Sequence, residues 1–274
     1  MVNTTTLRAL TLASRALALA AEPRLYASLK FTHNASSLKL ARTLVQSPRK
    51  SLLVFIIVAE LFDVELALLP AGTKLCLQAI VGCSNLTSLS TSWRPNQKWV
   101  TRLLGLNRFQ LYRFVSWFQW DEGVCRFLET QYSLVELEIV RPGADFSLAD
   151  DPGAQLSRSA LPRLSKLMGR LPQAAAIVPG RPVSSLSVYG AVTLTNLEVA
   201  LPMLAQTSVP MDTLSLQTGE LSSTLLTLLS AYLPSISFLE IRIVRHSMVC
   251  TRRYMHSFVM KYLTAFTDRL RTPT

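Results

Sequence analysis

Leu134-Val135-Glu136-Leu137-Glu138-Ile139 has the pattern apolar-x-x-apolar-x-apolar, which recurs along the chain. Clear copies begin at Val183, Met211 and Ile236, and looser copies begin at Leu86 and Leu164. The middle apolar residue of each copy is taken as an anchor, and Phe114 fills the one wide gap. The anchors are then Leu89, Phe114, Leu137, Leu167, Leu186, Leu214 and Leu239. Their spacings of 25, 23, 30, 19, 28 and 25 residues centre on the period of leucine-rich repeats, roughly 20–29 residues.

Segments between the anchors have helical character, as in residues 194–205 and in residues 221–233, where Pro234 closes the helix. A strand followed by a helix, many times over, predicts parallel strands with helices on the outside. The predicted fold is α/β, an irregular leucine-rich-repeat solenoid with strands on its concave face and helices outside. Residues 32–250 hold the degenerate repeats, with residues 141–160 as their longest loop, and residues 251–274 form an amphipathic C-terminal capping helix.

Composition and charge narrow the class of protein. Apolar residues make up 49% of the 274 and charged residues 16%, which suits a packed core. The net charge of +11 comes from the two ends, because residues 1–50 carry +7 and residues 231–274 carry +5. This distribution indicates two basic, solvated ends rather than one basic binding surface, so nucleic acid is not an expected partner.

Two apolar stretches could suggest targeting or a membrane. Residues 7–21 are rich in Ala and Arg, but Arg15 interrupts them and excludes a secretory signal. A mitochondrial transit helix and a structural helix ending at Pro23 both stay open. The structural helix has an apolar stripe of Leu7, Leu10, Ser14, Leu17, Ala18 and Ala21. Residues 52–59 are too short to span a bilayer, which takes about 20 residues, and are predicted to form a buried strand.

Residues that could support catalysis or metal binding are sparse. The cysteines Cys76, Cys83, Cys125 and Cys250 form no C-x-x-C pair and suit reduced, buried thiols of an intracellular protein. The three histidines have no metal-ligand spacing, and no nucleophile motif or phosphate-binding loop occurs. We therefore predict a non-enzymatic protein with no cofactor and no metal.

We therefore expect the binding function on the concave face. There the side chains beside the inward anchors point outward, because side chains alternate between the two faces of a strand. Aromatic side chains, Met and paired charges there suit recognition of a protein. The predicted partner-binding residues are Glu136, Glu138, Lys166, Met168, Tyr189, Gln217, Phe238, Glu240 and Arg242, with Ser185, Ser187, Thr213 and Ser215 beside them.

The anchors, together with residues 127–134, Leu161-Pro162-Arg163-Leu164 and Ile177-Val178-Pro179-Gly180-Arg181-Pro182-Val183, resemble the F-box/leucine-rich-repeat-like proteins common in basidiomycete fungi. The resemblance spans roughly residues 38–250, and Pro179 to Val183 is its most specific part. Residues 6–31 look like the second half of an F-box followed by the first strand, so residues 1–31 are predicted to be a partial F-box-like segment. In that family the F-box docks on a Skp-type adaptor of cullin-RING ubiquitin ligases, and the repeats bind the protein to be ubiquitinated.

The resemblance implies a substrate receptor that works in the cytoplasm or nucleus, without a membrane. It departs from the family in two respects: the Leu-Pro-x-Glu start of an F-box does not occur, and the Asn ladder after the strands is replaced by Pro142, Ala191, Gly219 and Val244. The residues left to meet an adaptor are Leu7, Leu10, Leu12, Arg15 and Leu25, although the same leucines could cap the first repeat. A free-standing repeat scaffold without ligase docking is the alternative.

Overall fold

The structure is a computed structural model that describes residues 4–32, 35–60, 70–92, 108–117, 120, 122–140, 156–219 and 221–243. Contacts divide the chain into two compact units, residues 1–134 with 139–145 and residues 135–138 with 146–274. The predicted C-terminal capping helix, Cys250 and most of the predicted loop at residues 141–160 lie outside the described residues.

The first unit alternates helices with short strands. Its helices are α1 (Thr4–Ala13), α2 (Arg15–Tyr26), α3 (Ala35–Gln46), α4 (Pro48–Ser51), α5 (Pro70–Val81) and α6 (Glu122–Glu129). Its strands are β1 (Ser28–Phe31), β2 (Ile56–Glu60), β3 (Ser88–Ser92) and β4 (Arg113–Ser116). They pair in parallel and in order, with Leu29, Ile57, Leu89 and Phe114 aligned in one buried row.

The second unit repeats this alternation with a fuller set of strands. The strand β5 (Glu136–Ile139) is followed by β6 (Lys166–Gly169), β7 (Ser185–Val192), β8 (Thr213–Thr218) and β9 (Phe238–Ile243), and its helices are α7 (Leu171–Ile177), α8 (Leu194–Leu204) and α9 (Ser223–Tyr232). Parallel pairing aligns Leu137, Leu167, Leu186, Leu214 and Leu239 in a second buried row.

The prediction of an α/β fold with parallel strands is confirmed, since within each unit the strands of the described residues pair in parallel and in sequence order. The seven anchors are likewise confirmed, because each is at most 6% exposed and adjacent anchors are direct register partners within each unit. The apolar signature therefore sets the register between adjacent strands, although the number of residues per repeat varies.

The backbone fixes this register at the start of each strand. The carbonyl two residues before an anchor accepts two N–H groups from the next strand, as Phe55 does from Thr87 at 2.9 Å and Ser88 at 3.0 Å. The same paired acceptance recurs at Ala27, Thr87, Val135, Ser165, Ser184 and Asp212. These bonds satisfy backbone groups at the N-terminal ends of the strands. Each strand therefore begins at the same level as its neighbour.

Side chains reinforce these strand starts. A side chain in the segment before one strand hydrogen-bonds to the backbone of the segment before its neighbour, and we call these contacts the entry hydrogen bonds. Asn85 Nδ2 donates to the Leu52 carbonyl at 2.7 Å, and Ser235 Oγ donates to the Met211 carbonyl at 3.0 Å. These side-chain bonds join neighbouring repeats at the N-terminal ends of the strands. The Asn ladder of regular leucine-rich repeats stands at the other end, after the strands.

Two fully buried side chains, Gln131 and Arg181, also make entry hydrogen bonds. In the first unit Gln131 accepts from the Leu111 N–H at 2.9 Å and donates through Nε2 to Thr130 Oγ1 at 3.0 Å and, at 3.5 Å, to the Phe109 carbonyl. In the second unit Arg181 donates to the carbonyls of Ser157 at 2.6 Å and Ala160 at 2.9 Å, and also to that of Ile177 at the end of α7. Arg181 belongs to the stretch from Pro179 to Val183, which thus has a structural role.

The N-terminal segment differs from the prediction of one helix ending at Pro23. Ser14 adopts extended backbone angles and accepts from the Leu17 N–H at 3.2 Å, so it ends α1 and caps α2. The second helix continues through Pro23 to Tyr26, because a proline in the last turn removes only one backbone donor. Of the predicted apolar stripe, Leu7 and Ala21 are buried and Leu17 is 42% exposed.

The predicted buried strand at residues 52–59 is also corrected. Residues 52 and 53 lie in a turn, and β2 begins only at Ile56. Val54, Ile57 and Ala59 are buried, whereas Phe55 and Ile56 are 45% and 41% exposed. The continuous apolar run hid a strand with one buried and one open face.

Buried thiols are confirmed for Cys76, Cys83 and Cys125. Burial raises the pKa of Cys76 to about 11 and that of Cys83 to about 12, so both stay protonated at neutral pH. Among the described residues, no helix combines the length and the apolar composition needed to cross a bilayer.

Candidate binding surface

The open face of the second unit's strands consists of the residues that flank the buried anchors. Parallel register arranges them in rows that run across the strands. The first row is Glu136, Lys166, Ser185, Thr213 and Phe238, and the second row is Glu138, Met168, Ser187, Ser215 and Glu240. We call these two rows, with Tyr189, Gln217 and Arg242 beyond them, the strand face.

Most of the strand face is accessible, as the alternation predicted. Phe238 is 53% exposed, Lys166 and Arg242 are exposed, and most of the others are half-buried. Ser215 is the exception, because its side chain is buried at 9% exposure. Its hydroxyl donates to Glu240 Oε2 at 2.8 Å, so Ser215 supports its neighbour and is not itself available to a partner.

Four charged residues of the strand face form two ion pairs within it. Lys166 Nζ lies 2.8 Å from Glu136 Oε1, and Arg242 Nε lies 2.8 Å from Glu240 Oε1. The Arg242 hydrogen bond, aided by Ser215 and opposed by desolvation, lowers the pKa of Glu240, while Glu240 raises the pKa of Arg242. Such exposed pairs add little stability but hold both side chains in place.

An irregularity in β7 shapes one end of this face. Between Val188 and Val192 the pairing with β8 shifts, and Gly190 adopts φ +85, which favours glycine. Its N–H donates to Gln217 Oε1 at 3.0 Å. Beyond the irregularity, a cleft of about 420 Å³ lies between the starts of α8 and α9, and Val192, Leu216 and Leu225 are among its lining residues.

The predicted adaptor-binding residues lie on α1 and α2, which contact each other. Leu7 is buried, so its side chain is occupied within the fold. Leu10 and Leu25 are half-buried, whereas Arg15 is exposed and Leu12 is 87% exposed. Leu17 and Leu19, at 42% and 47% exposure, add two further open apolar side chains on α2.

The strands of the first unit also have an open face, which was not predicted from the sequence. It consists of Ser28, Ile56, Ser88 and Arg113 in one row and Lys30, Val58, Ser90 and Val115 in the next. The signature was present, since Tyr26-x-x-Leu29-x-Phe31 and Val54-x-x-Ile57-x-Ala59 both fit it. The same alternation applied to Leu29, Ile57, Leu89 and Phe114 would have found all eight residues.

Fold and surface together define the class as an α/β repeat protein with parallel strands and an open strand face. In comparisons with known proteins, no family model matches the chain and no curated protein matches its sequence.

Proposed function

We propose that this chain is a non-enzymatic protein-binding repeat protein, a leucine-rich-repeat solenoid that presents its second unit's strand face to a target protein. The observation that carries the proposal is that the strand face presents the exposed Phe238, the half-buried Met168 and Tyr189, and two ion pairs. Aromatic and Arg side chains supply much of the binding energy at protein interfaces. Because the paired charges are already held in place, less side-chain freedom is lost on binding.

The test places a photocrosslinking amino acid in the full chain at Phe238, at Met168 and, as a control, at Val199. Val199 is 75% exposed on α8 and matches Phe238 as an open apolar position away from the strand face. A target crosslinked from Phe238 and Met168 but not from Val199 is then purified and titrated. We expect the double variant Phe238→Ser/Met168→Ser to bind it at least about tenfold more weakly, and Val199→Ser to bind normally.

A captured target whose affinity is unchanged by Phe238→Ser/Met168→Ser contradicts the strand-face proposal. Crosslinking that is equally strong from Val199 does so as well.

The finer form of the proposal is a cullin-RING substrate receptor, in which α1 and α2 dock on a Skp-type adaptor in the cytoplasm or nucleus. Support comes from Leu12, Leu17 and Leu19, three open leucines on these two helices. Open apolar side chains such as these are available for a partner to cover. A receptor of this kind raises the local concentration of the target at the ligase without doing chemistry itself.

Binding of the full chain to a purified Skp-type adaptor tests this finer form. We expect a stable complex that Leu12→Ala/Leu19→Ala abolishes and Val199→Ala preserves. Failure of the folded wild-type chain to bind removes the ligase role and leaves the strand-face proposal, as a free-standing scaffold, in place.

A further inference from the structure

A second surface lies in the first unit, at the edge where the chain enters its strands. The Ala27 carbonyl accepts from Phe55 and Ile56, the Phe55 carbonyl from Thr87 and Ser88, and the Thr87 carbonyl from Tyr112 at 2.7 Å and Arg113 at 3.1 Å. These bonds line up the four strand entries side by side. Phe55 and Tyr112 are therefore two strands apart, at about 10 Å, given a strand spacing of about 4.8 Å.

Positive charge is concentrated along these entries. Residues 22–28, 47–56, 83–88 and 108–113 contain Arg24, Arg49, Lys50, Arg108 and Arg113 against the single acid Glu22. Arg24, Arg49, Arg108 and Arg113 are exposed, and Lys50 lies over the Tyr26 ring at 5.4 Å from its centroid. We call this surface the basic edge.

The one acid does not neutralise the basic edge. Glu22 lies 3.8 Å from Arg49 and 3.7 Å from Lys50, so both contacts are near the limit for an ion pair. The Arg49 side chain is 66% exposed, and solvent screens such a contact strongly. The exposed side chains of Arg24, Arg49 and Arg108 therefore leave an excess of positive charge facing solvent.

Exposed apolar side chains are interleaved with these cations. Leu52, Phe55, Ile56 and Tyr112 are 48%, 45%, 41% and 52% exposed. All four lie in the segments before β2 and β4 or at their start. A surface that is both basic and apolar is complementary to a chain that carries acidic and apolar side chains together.

We infer that the basic edge docks an acidic segment of a partner protein, in which Asp or Glu side chains alternate with Leu or Phe. The carboxylates meet the Arg and Lys side chains, and the apolar side chains cover Leu52, Phe55, Ile56 and Tyr112. A single-stranded nucleic acid would use the cations and the two aromatic rings, but it offers no group that gains from covering the aliphatic Leu52 and Ile56. None of these residues belongs to the second unit's strand face or to the open leucines on α1 and α2.

The test measures fluorescence anisotropy of a labelled twelve-residue peptide, three copies of Asp-Leu-Glu-Phe, with the full chain at low and at physiological salt. A peptide with Lys in place of each acid and one with Ser in place of each Leu and Phe separate the two contributions. A twelve-nucleotide single-stranded RNA is the competing ligand.

Paired variants assign the site. We expect Arg49→Glu/Arg108→Glu, and separately Phe55→Ser/Tyr112→Ser, to weaken binding of the acidic peptide at least about tenfold. The control Lys39→Glu/Lys74→Glu makes the same change in net charge at exposed positions of α3 and α5 and is expected to bind normally. Circular dichroism melting checks that each variant is folded.

Three outcomes overturn the inference. The first is no binding of the acidic peptide, or equal binding of the peptide without Leu and Phe. In the second, Lys39→Glu/Lys74→Glu weakens binding as much as Arg49→Glu/Arg108→Glu, so that net charge alone is responsible. In the third, RNA binds more tightly than the peptide and loses binding in Arg49→Glu/Arg108→Glu, which makes the basic edge a nucleic-acid surface.

Discussion

Gln131 in the first unit and Arg181 in the second are both buried, and each connects the start of one repeat to the start of the repeat before it. The first is a neutral amide whose Oε1 accepts from the Leu111 N–H and whose Nε2 donates to the Phe109 carbonyl. The second is a guanidinium that serves the carbonyls of Ser157, Ala160, Ile177 and Pro179. The start of one repeat can therefore be joined to the start of the repeat before it with or without a buried charge.

Gln131 and Arg181 differ in the free-energy cost of burying the side chain. Burial lowers the pKa of Arg181, which reports the loss of water around its charge. Its hydrogen-bond partners in the described part of the chain are backbone carbonyls, including that of Ile177 at the negative end of α7. Four carbonyls depend on one side chain, so removing it leaves more buried polar groups without a partner than removing Gln131 does.

The largest expected effect is from Arg181→Met. This variant keeps the apolar stem but leaves the carbonyls of Ser157, Ala160 and Ile177 without their donor, so we expect a loss of about 3 kcal/mol in the free energy of unfolding. Urea denaturation measures it. Arg163→Met, at an exposed arginine of the same unit, is the control. A loss below about 1 kcal/mol would show that water replaces the guanidinium without penalty.

A smaller effect is expected from Gln131→Leu, which removes the acceptor of the buried Leu111 N–H. We expect about 2 kcal/mol, because a buried N–H without an acceptor carries most of its desolvation cost. The exposed neighbour in Tyr132→Ala serves as the reference in the same denaturation experiment. If Gln131→Leu costs as much as Arg181→Met, the charge on Arg181 is not what separates the two junctions.

Asn85→Ala and Ser235→Ala test the outer entry hydrogen bonds. Asn85 and Ser235 are both exposed, so water can reach the carbonyls of Leu52 and Met211 once the side chain is gone. We expect a loss of about 1 kcal/mol or less for each. Hydrogen exchange of the first amides of β3 and β9 locates the effect, which should stay local. A loss equal to that of Gln131→Leu would contradict the link between burial and cost.

The smallest effect concerns the exposed charges of the strand face. The folded-state pKa of Glu240 is lowered, chiefly by Arg242, so the carboxylate adds stability above its ordinary pKa and loses it as the pH falls through the folded value. Denaturation at a series of acidic pH values should show a slightly shallower loss of stability in Glu240→Gln than in the wild type. Identical pH dependence would mean that Arg242 does not hold the carboxylate in solution.

The strand registers could be predicted from sequence, because six of the seven anchors sit in clear or looser copies of a six-residue apolar signature, and the spacing of those six locates Phe114. The entry hydrogen bonds could not, since Asn85, Gln131, Arg181 and Ser235 stand four, six, five and four residues before their anchors. Different residue types at unequal distances leave no visible column. The basic edge was missed for a related reason: its cations come from separate segments that only the aligned strand entries bring together.

The paired carbonyl bonds at each strand start have a consequence for how such a chain can change over time. Alignment is set afresh at every entry, and the anchor spacings of 19 to 30 residues show how little the intervening length matters. Insertions and deletions in the helical connections can therefore accumulate without moving one strand-face residue relative to the next. The surface that meets a partner and the length of the repeat can thus diverge independently.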